Sequence, residues 1–127
     1  MNGTGTQTAT VKYTGSYSGE MVPGFLGGTT GVIGNLVVRD MTTEQIIASR
    51  TAINETLQNH NGLSYYTNTQ SLTSTVTFTA GHTYVIYFSV GASASEFLGE
   101  MICASDFFTP DTDYDFGARM NSIKITF

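Results

Sequence analysis

Charge is what this sequence has least of. Asp, Glu, Lys and Arg make up 12% of its 127 residues, against roughly 25% in an ordinary globular domain. Only five are Lys or Arg, set against ten Asp or Glu, for a net charge of −5. Lys12, Arg39, Arg50, Arg119 and Lys124 are scattered and build no stripe that would track a phosphate backbone. That excludes nucleic acid as a partner, and it removes any grip on an anionic membrane surface. Cysteine occurs once, at Cys103 in the apolar run "EMICAS", so there is no disulfide within the chain, and the thiol reads as buried and inert. Tryptophan is absent and proline occurs twice. No apolar run approaches the length of a membrane-spanning helix, so membrane insertion is not expected. The opening "MNGTGTQTAT" has neither the basic nor the apolar region of a secretory signal. The expectation is either assembly in the cytoplasm, as for virion proteins, or a leader already removed.

The missing charge is replaced by Thr, Ser, Gly and Asn. A β-branched hydroxyl side chain suits a pleated, half-buried surface, so this composition favours strands. It is the composition of surfaces that face the outside, on a virion or an extracellular domain. Period two then dominates the pattern. In "LTSTVTFT", Leu72, Ser74, Val76 and Phe78 share one face and four threonines the other. After the turn "AGH", the run "TYVIYFSVGA" puts Tyr84, Ile86, Phe88 and Val90 on one side. The two runs read as a hairpin with one buried face. The first strand, "TATVKYTGSY", turns Ala9, Val11 and Tyr13 inward. Residues 18–31, "SGEMVPGFLGGTTG", read as turn chemistry, followed by a strand "VIGNLVVRD". A strand of mixed alternation lies in "SEFLGEMICASDFF". The last strand, "MNSIKITF", turns Ile123, Ile125 and Phe127 inward.

One segment supports two assignments. In "MTTEQIIASRTAINETLQNHNG", Thr42 with Gln45 resembles a helix capping box, and Ile46, Ile53 and Leu57 fall near helical spacing. The β-branched run instead lets "IIASRTAI" pair back on "LVVRD" across a turn at "MTTEQ". The strand assignment is preferred, which leaves "NETLQNHNGLSYYTNTQ" as a long exposed loop. The expected fold is a single all-β domain over residues 8–127. It is an antiparallel β-sandwich of seven or eight strands, jelly-roll-like in arrangement, with residues 1–7 as an N-terminal arm.

Chemistry-bearing residues are few. In "TPDTDYDFG", Asp111, Asp113 and Asp115 occupy alternate positions. An EF-hand loop would need Gly at its sixth position and Glu at its twelfth. Phe116 and Ser122 stand there, so an EF-hand is excluded. A curled loop can still converge the three carboxylates on calcium, and the other reading is a solvated acidic turn opened by Pro110. Apart from that calcium, no cofactor is called for. His60 and His82 lack spaced partners and read as surface residues. No serine lies in a nucleophile context, and no glycine-rich stretch leads into a helix as a phosphate loop must. Without a catalytic constellation the chain is not read as an enzyme.

Two surfaces remain. The arm, Met1, Asn2, Gly3, Thr4, Gly5, Thr6 and Gln7, is Gly- and Thr-rich and needs a neighbour to hold it. Addition of this arm to a sheet edge of another subunit would do so. Tyr65 and Tyr66 in "GLSYYTN" can offer a flat platform to a glycan, which makes a carbohydrate-binding, lectin-like module the alternative function. Asn2 and Asn54 stand in glycosylation sequons, a weak signal in so Thr-rich a chain.

At "FTAGHTYVIYFSVGASAS", followed by "ASDF" and the late "SI-I-F" strand, the C-terminal half resembles β-sandwich domains of bacterial secreted and surface proteins of the PEP-CTERM type. The sorting tail of those proteins is not present in this sequence, so surface anchoring does not carry over. The resemblance implies a β-sandwich and brings no catalytic residues. The expected function is a non-enzymatic structural subunit of a larger assembly. A virion surface or decoration protein fits, as does a subunit of an extracellular filament or matrix. Its partners would be copies of itself or other subunits of a shell or filament.

Overall fold

The structure, a computed structural model, describes residues 4–22, 28–58, 64–95, 104–106 and 117–127, with the backbone alone at 64–67, 70 and 104–106. Seven strands are described and no helix is among them: β1 Thr6–Val22, β2 Thr29–Asp40, β3 Gln45–Gln58, β4 Ser64–Thr79, β5 Tyr84–Ser95, β6 Ala104–Asp106 and β7 Gly117–Thr126. They form two antiparallel sheets, as the composition and the period-two patterning predict. In one, β1 is central. β4 runs along one edge of it, while β7 and then the short β6 share the other. The second sheet has the order β3–β2–β5.

Alternation fixes which face each strand buries. Along β1, Ala9, Val11, Tyr13, Tyr17 and Met21 are buried, and they alternate with polar residues. From β4 come Ser74, Val76 and Phe78, and from β2 Leu36 and Val38. Ala9, Val11 and Tyr13 meet Val76, Phe78, Leu36 and Val38 in one core between the sheets, where the Tyr13 and Phe88 rings stack at 4.9 Å between centroids and an angle of 14°. A second cluster of Tyr17, Met21, Val32 and Ile53 continues the core along the sandwich. The Tyr17 hydroxyl donates to Glu55 Oε1, tying β1 of one sheet to β3 of the other.

The ambiguous segment is strand. β2 and β3 form a hairpin closed by residues 41–44, in the register Asp40↔Gln45 and Leu36↔Arg50. Glu44 closes that turn with a φ of 59°, in the left-handed region.

Four expectations need correction. The runs around residues 72–79 and 84–90 are not a hairpin. β4 pairs with β1 and β5 pairs with β2, so the "AGH" turn is an arch between sheets. A hairpin and an arch need the same turn residues and the same alternation, and only the partner strands distinguish them. β1 continues through residues 18–22, where turn chemistry was read, because Tyr17 and Met21 extend its buried face and β4 pairs with it as far as Met21. The long exposed loop is largely strand, since β3 runs to Gln58 and β4 starts at Ser64. In β7, Ile123 is half-buried, but Ile125 and Phe127 are 42% and 65% exposed.

Candidate functional site

At one end of the sandwich two chain reversals are fastened together. Asp40, the last residue of β2, is buried. Its Oδ1 accepts hydrogen bonds from the amides of Thr42 (2.9 Å) and Thr43 (3.3 Å), which caps the β2–β3 turn. Its Oδ2 lies 2.6 Å from His82 Nδ1 in the β4–β5 arch. The Met41 amide donates to the Thr83 carbonyl at 2.8 Å, and the Thr83 amide to Thr42 Oγ1 at 3.0 Å. Burial pushes the Asp40 carboxyl up. The hydrogen bonds from His82 and the two amides, with the His82 charge, outweigh burial and hold its pKa below the ordinary value. His82, expected to be a surface histidine without a partner, is thus half of a staple between turns 42 residues apart. An Asp directly before "MTT" is a local signal for the capped turn. Nothing local announces the histidine.

Beside the staple is a cleft of about 390 Å³ between the sheets. Phe78, Tyr84, Ile86, Ile125 and Phe127 form its apolar walls, and His82 is at its rim. Phe78 and Tyr84 meet edge to face at 4.8 Å, and the Phe127 ring is 6.0 Å from Phe78. The Tyr84 hydroxyl receives the Thr79 amide at 2.7 Å, holding the ring across the arch. The cleft exists because β5 and β7 are edge strands of opposite sheets, and their inner faces are not covered there by other described residues. Chemically it is a place for apolar or aromatic groups. Among the described residues no three of His, Cys, Asp and Glu come together, so the Asp40–His82 pair has no third such group beside it.

The residues singled out from the sequence are placed as follows. Asp111, Asp113 and Asp115 lie outside the described residues, as do Met1, Asn2, Gly3, His60 and Cys103. Tyr65 and Tyr66 belong to β4, opposite Glu20 and Gly19 of β1, rather than to a loop, and their side chains are outside the description. The arm is shorter than its composition indicates. Thr6 and Gln7 are already sheet, opposite Thr79 and Phe78. The carbonyl of Gly5 accepts the Ala80 amide at 2.8 Å, and Thr4 precedes it in a bend. Edge pairing within the chain therefore takes up residues 5–7.

No protein-family model matches the chain, and no match to it was found among curated proteins or solved structures.

Proposed function

We propose that the chain is a non-enzymatic structural subunit of a larger assembly, at a virion surface or in an extracellular filament or matrix, built with copies of itself or with other subunits. The observation that carries this reading is a side of the sandwich that the other described residues leave uncovered. Ile125 and Phe127 stand on the face that β7 turns to the core, yet they are 42% and 65% exposed. Tyr84 and Ile86 opposite them are only half-buried. A sandwich with apolar inner-face residues open to water gains by covering them, at roughly 25 cal/mol per Å². A thin, Thr-rich, charge-poor outer surface suits a protein that spends its life packed beside others. Calcium at Asp111, Asp113 and Asp115 would stiffen such an assembly. Light scattering over a concentration series, with calcium and then with EDTA, tests this. Particles larger than one chain are expected, and dissociation in EDTA would assign calcium a holding role. A monomer at every concentration overturns the reading.

The second reading is a carbohydrate-binding module. Aromatic rings beside His82 in the cleft favour it, because sugars stack their apolar faces on aromatic rings and hydrogen-bond at their edges. A glycan array read with wild type, with His82→Ala, and with Tyr65→Ala and Tyr66→Ala separates the two candidate sites. A blank array with wild type removes this alternative.

A further inference from the structure

The staple and the cleft adjoin, and together their chemistry specifies a ligand. The cleft's volume of about 390 Å³ is at the lower end of the range in which proteins hold small molecules, and suits one or two rings. Phe78, Tyr84, Ile86, Ile125 and Phe127 wall it with apolar and aromatic surface. The Tyr84 hydroxyl is taken up by the Thr79 backbone, accepting from the amide at 2.7 Å and donating to the carbonyl at 3.4 Å. His82, also in the lining, has a polar atom to spare. Asp40 is buried, and its carboxylate can only accept, so His82 Nδ1 carries the proton that it donates to Oδ2 at 2.6 Å. That sets the tautomer. It leaves Nε2, which has no hydrogen-bond partner among the described residues. A hydroxyl suits this atom in either state of the ring, donating to the neutral imidazole or accepting from the charged one.

The connections at this end of the sandwich, residues 41–44 and 80–83, are both described. The segments 23–27, 59–63, 96–103 and 107–116 join strand ends at the opposite end. A connection of ten residues that returns to its own end extends about 18 Å at most, whereas Ile86 stands about 30 Å along β5 from Ser95. We propose that the cleft binds a small neutral aromatic molecule bearing a hydroxyl, a phenol of one or two rings, with its rings against the apolar walls and its hydroxyl on His82 Nε2. Aromatic walls admit a sugar as well. A sugar would bring several hydroxyls to a lining that is mostly apolar, and those left unpaired would lose water without replacement. A phenol brings one. This goes beyond the subunit reading and does not rest on it.

Fluorescence titration of the full chain with 2-naphthol tests this, and the absence of Trp leaves the signal to the ligand. Saturable binding at one site is expected, with a dissociation constant in the millimolar range or below. 2-Methoxynaphthalene has the same rings and no proton to donate. It is expected to bind about 2–10-fold more weakly, and His82→Phe to remove that difference. Phe127→Ala changes a wall residue that is 65% exposed, so folding is retained, and it is expected to weaken both ligands about 3-fold. A chain beginning at Thr4 is expected to bind as the full chain does. Circular dichroism checks the fold of each variant, and if His82→Phe unfolds, the methyl ether and Phe127→Ala still decide. 2-Naphthol that never saturates, that binds no better than its methyl ether, or that keeps its preference in His82→Phe overturns the proposal. So does an affinity unchanged by Phe127→Ala. Tighter binding without residues 1–3 would make that segment the occupant, and displacement of 2-naphthol by a free hexose would return the cleft to the carbohydrate reading; each overturns the proposal too. None of these results concerns particle size, so the subunit reading stands or falls separately, by light scattering.

Discussion

Replacing Gly34 by alanine adds one methyl group to the inner face of β2, where there is no room for it. A Cβ built there falls 2.7 Å from Phe88 Cζ and 3.0 Å from Cγ1 and Cδ1 of Ile53. Both neighbours are held. Phe88 stacks on Tyr13, and Ile53 is buried in the second core cluster. Overpacking of this kind costs about 1–3 kcal/mol. The loss of backbone freedom in the unfolded chain returns about 0.4–1 kcal/mol. The net expectation is about 1–2 kcal/mol of destabilisation. With 127 residues and ~2.1 cal/mol/K per residue, the unfolding entropy is about 0.27 kcal/mol/K, so Tm falls by about 4–7 °C. Gly91, one strand over and on the outer face, is the internal control. Its added Cβ meets only Ile33 Cγ2, at 3.8 Å. Gly91→Ala therefore keeps the entropy gain without the clash, and Tm rises by about 1–4 °C. Urea denaturation at constant m gives the two free energies. In a Phe88→Leu background the cost of Gly34→Ala shrinks, because the atom it strikes is gone. Shifts of the same sign at both glycines, or a Gly34→Ala cost unchanged by Phe88→Leu, would refute the packing of Phe88 beneath β2.

Three further predictions follow from single sites. Thr30 is fully buried, and its Oγ1 has no hydrogen-bond partner among the described residues. Thr30→Val keeps the shape and removes the stranded hydroxyl, and chemical denaturation is expected to show a gain of about 1–2 kcal/mol. Glu44 holds a left-handed conformation at φ 59°, so Glu44→Gly is expected to stabilise by about 0.5–1 kcal/mol, the strain relieved being larger than the entropy glycine adds. Asp40 has its carboxyl held below the ordinary value. Its contribution is therefore complete above the unfolded pKa near 3.9 and is lost as pH falls through the lower folded value. Thermal melts from pH 6 down to 2.5 are expected to show a shallower acid loss in Asp40→Asn than in wild type. Parallel curves would mean that the His82 contact adds nothing to stability.

Strand identity was written into the residues themselves. Apolar and hydroxyl side chains alternate along β1 and β4, and a strand reads its own faces without reference to any neighbour. The β2–β3 hairpin was legible for the same reason, since its partners adjoin in sequence and the turn between them is local. The shortage of charge, too, is a property of sequence alone, and it is the reason no phosphate-binding surface was expected. Partner choice was not legible. β4 and β5 are joined by four residues and still belong to different sheets, because β1 and β2 lie ready to receive them. The turn chemistry of residues 18–22 gave way to strand through pairing with the start of β4, more than 40 residues away. The Asp40–His82 staple and the cleft beside it depend on that arch as well. Burial of a face is a local pattern, but which faces meet is settled by closing the chain over long separations, and only there do Phe78, Tyr84, Ile125 and Phe127 come to line one cleft.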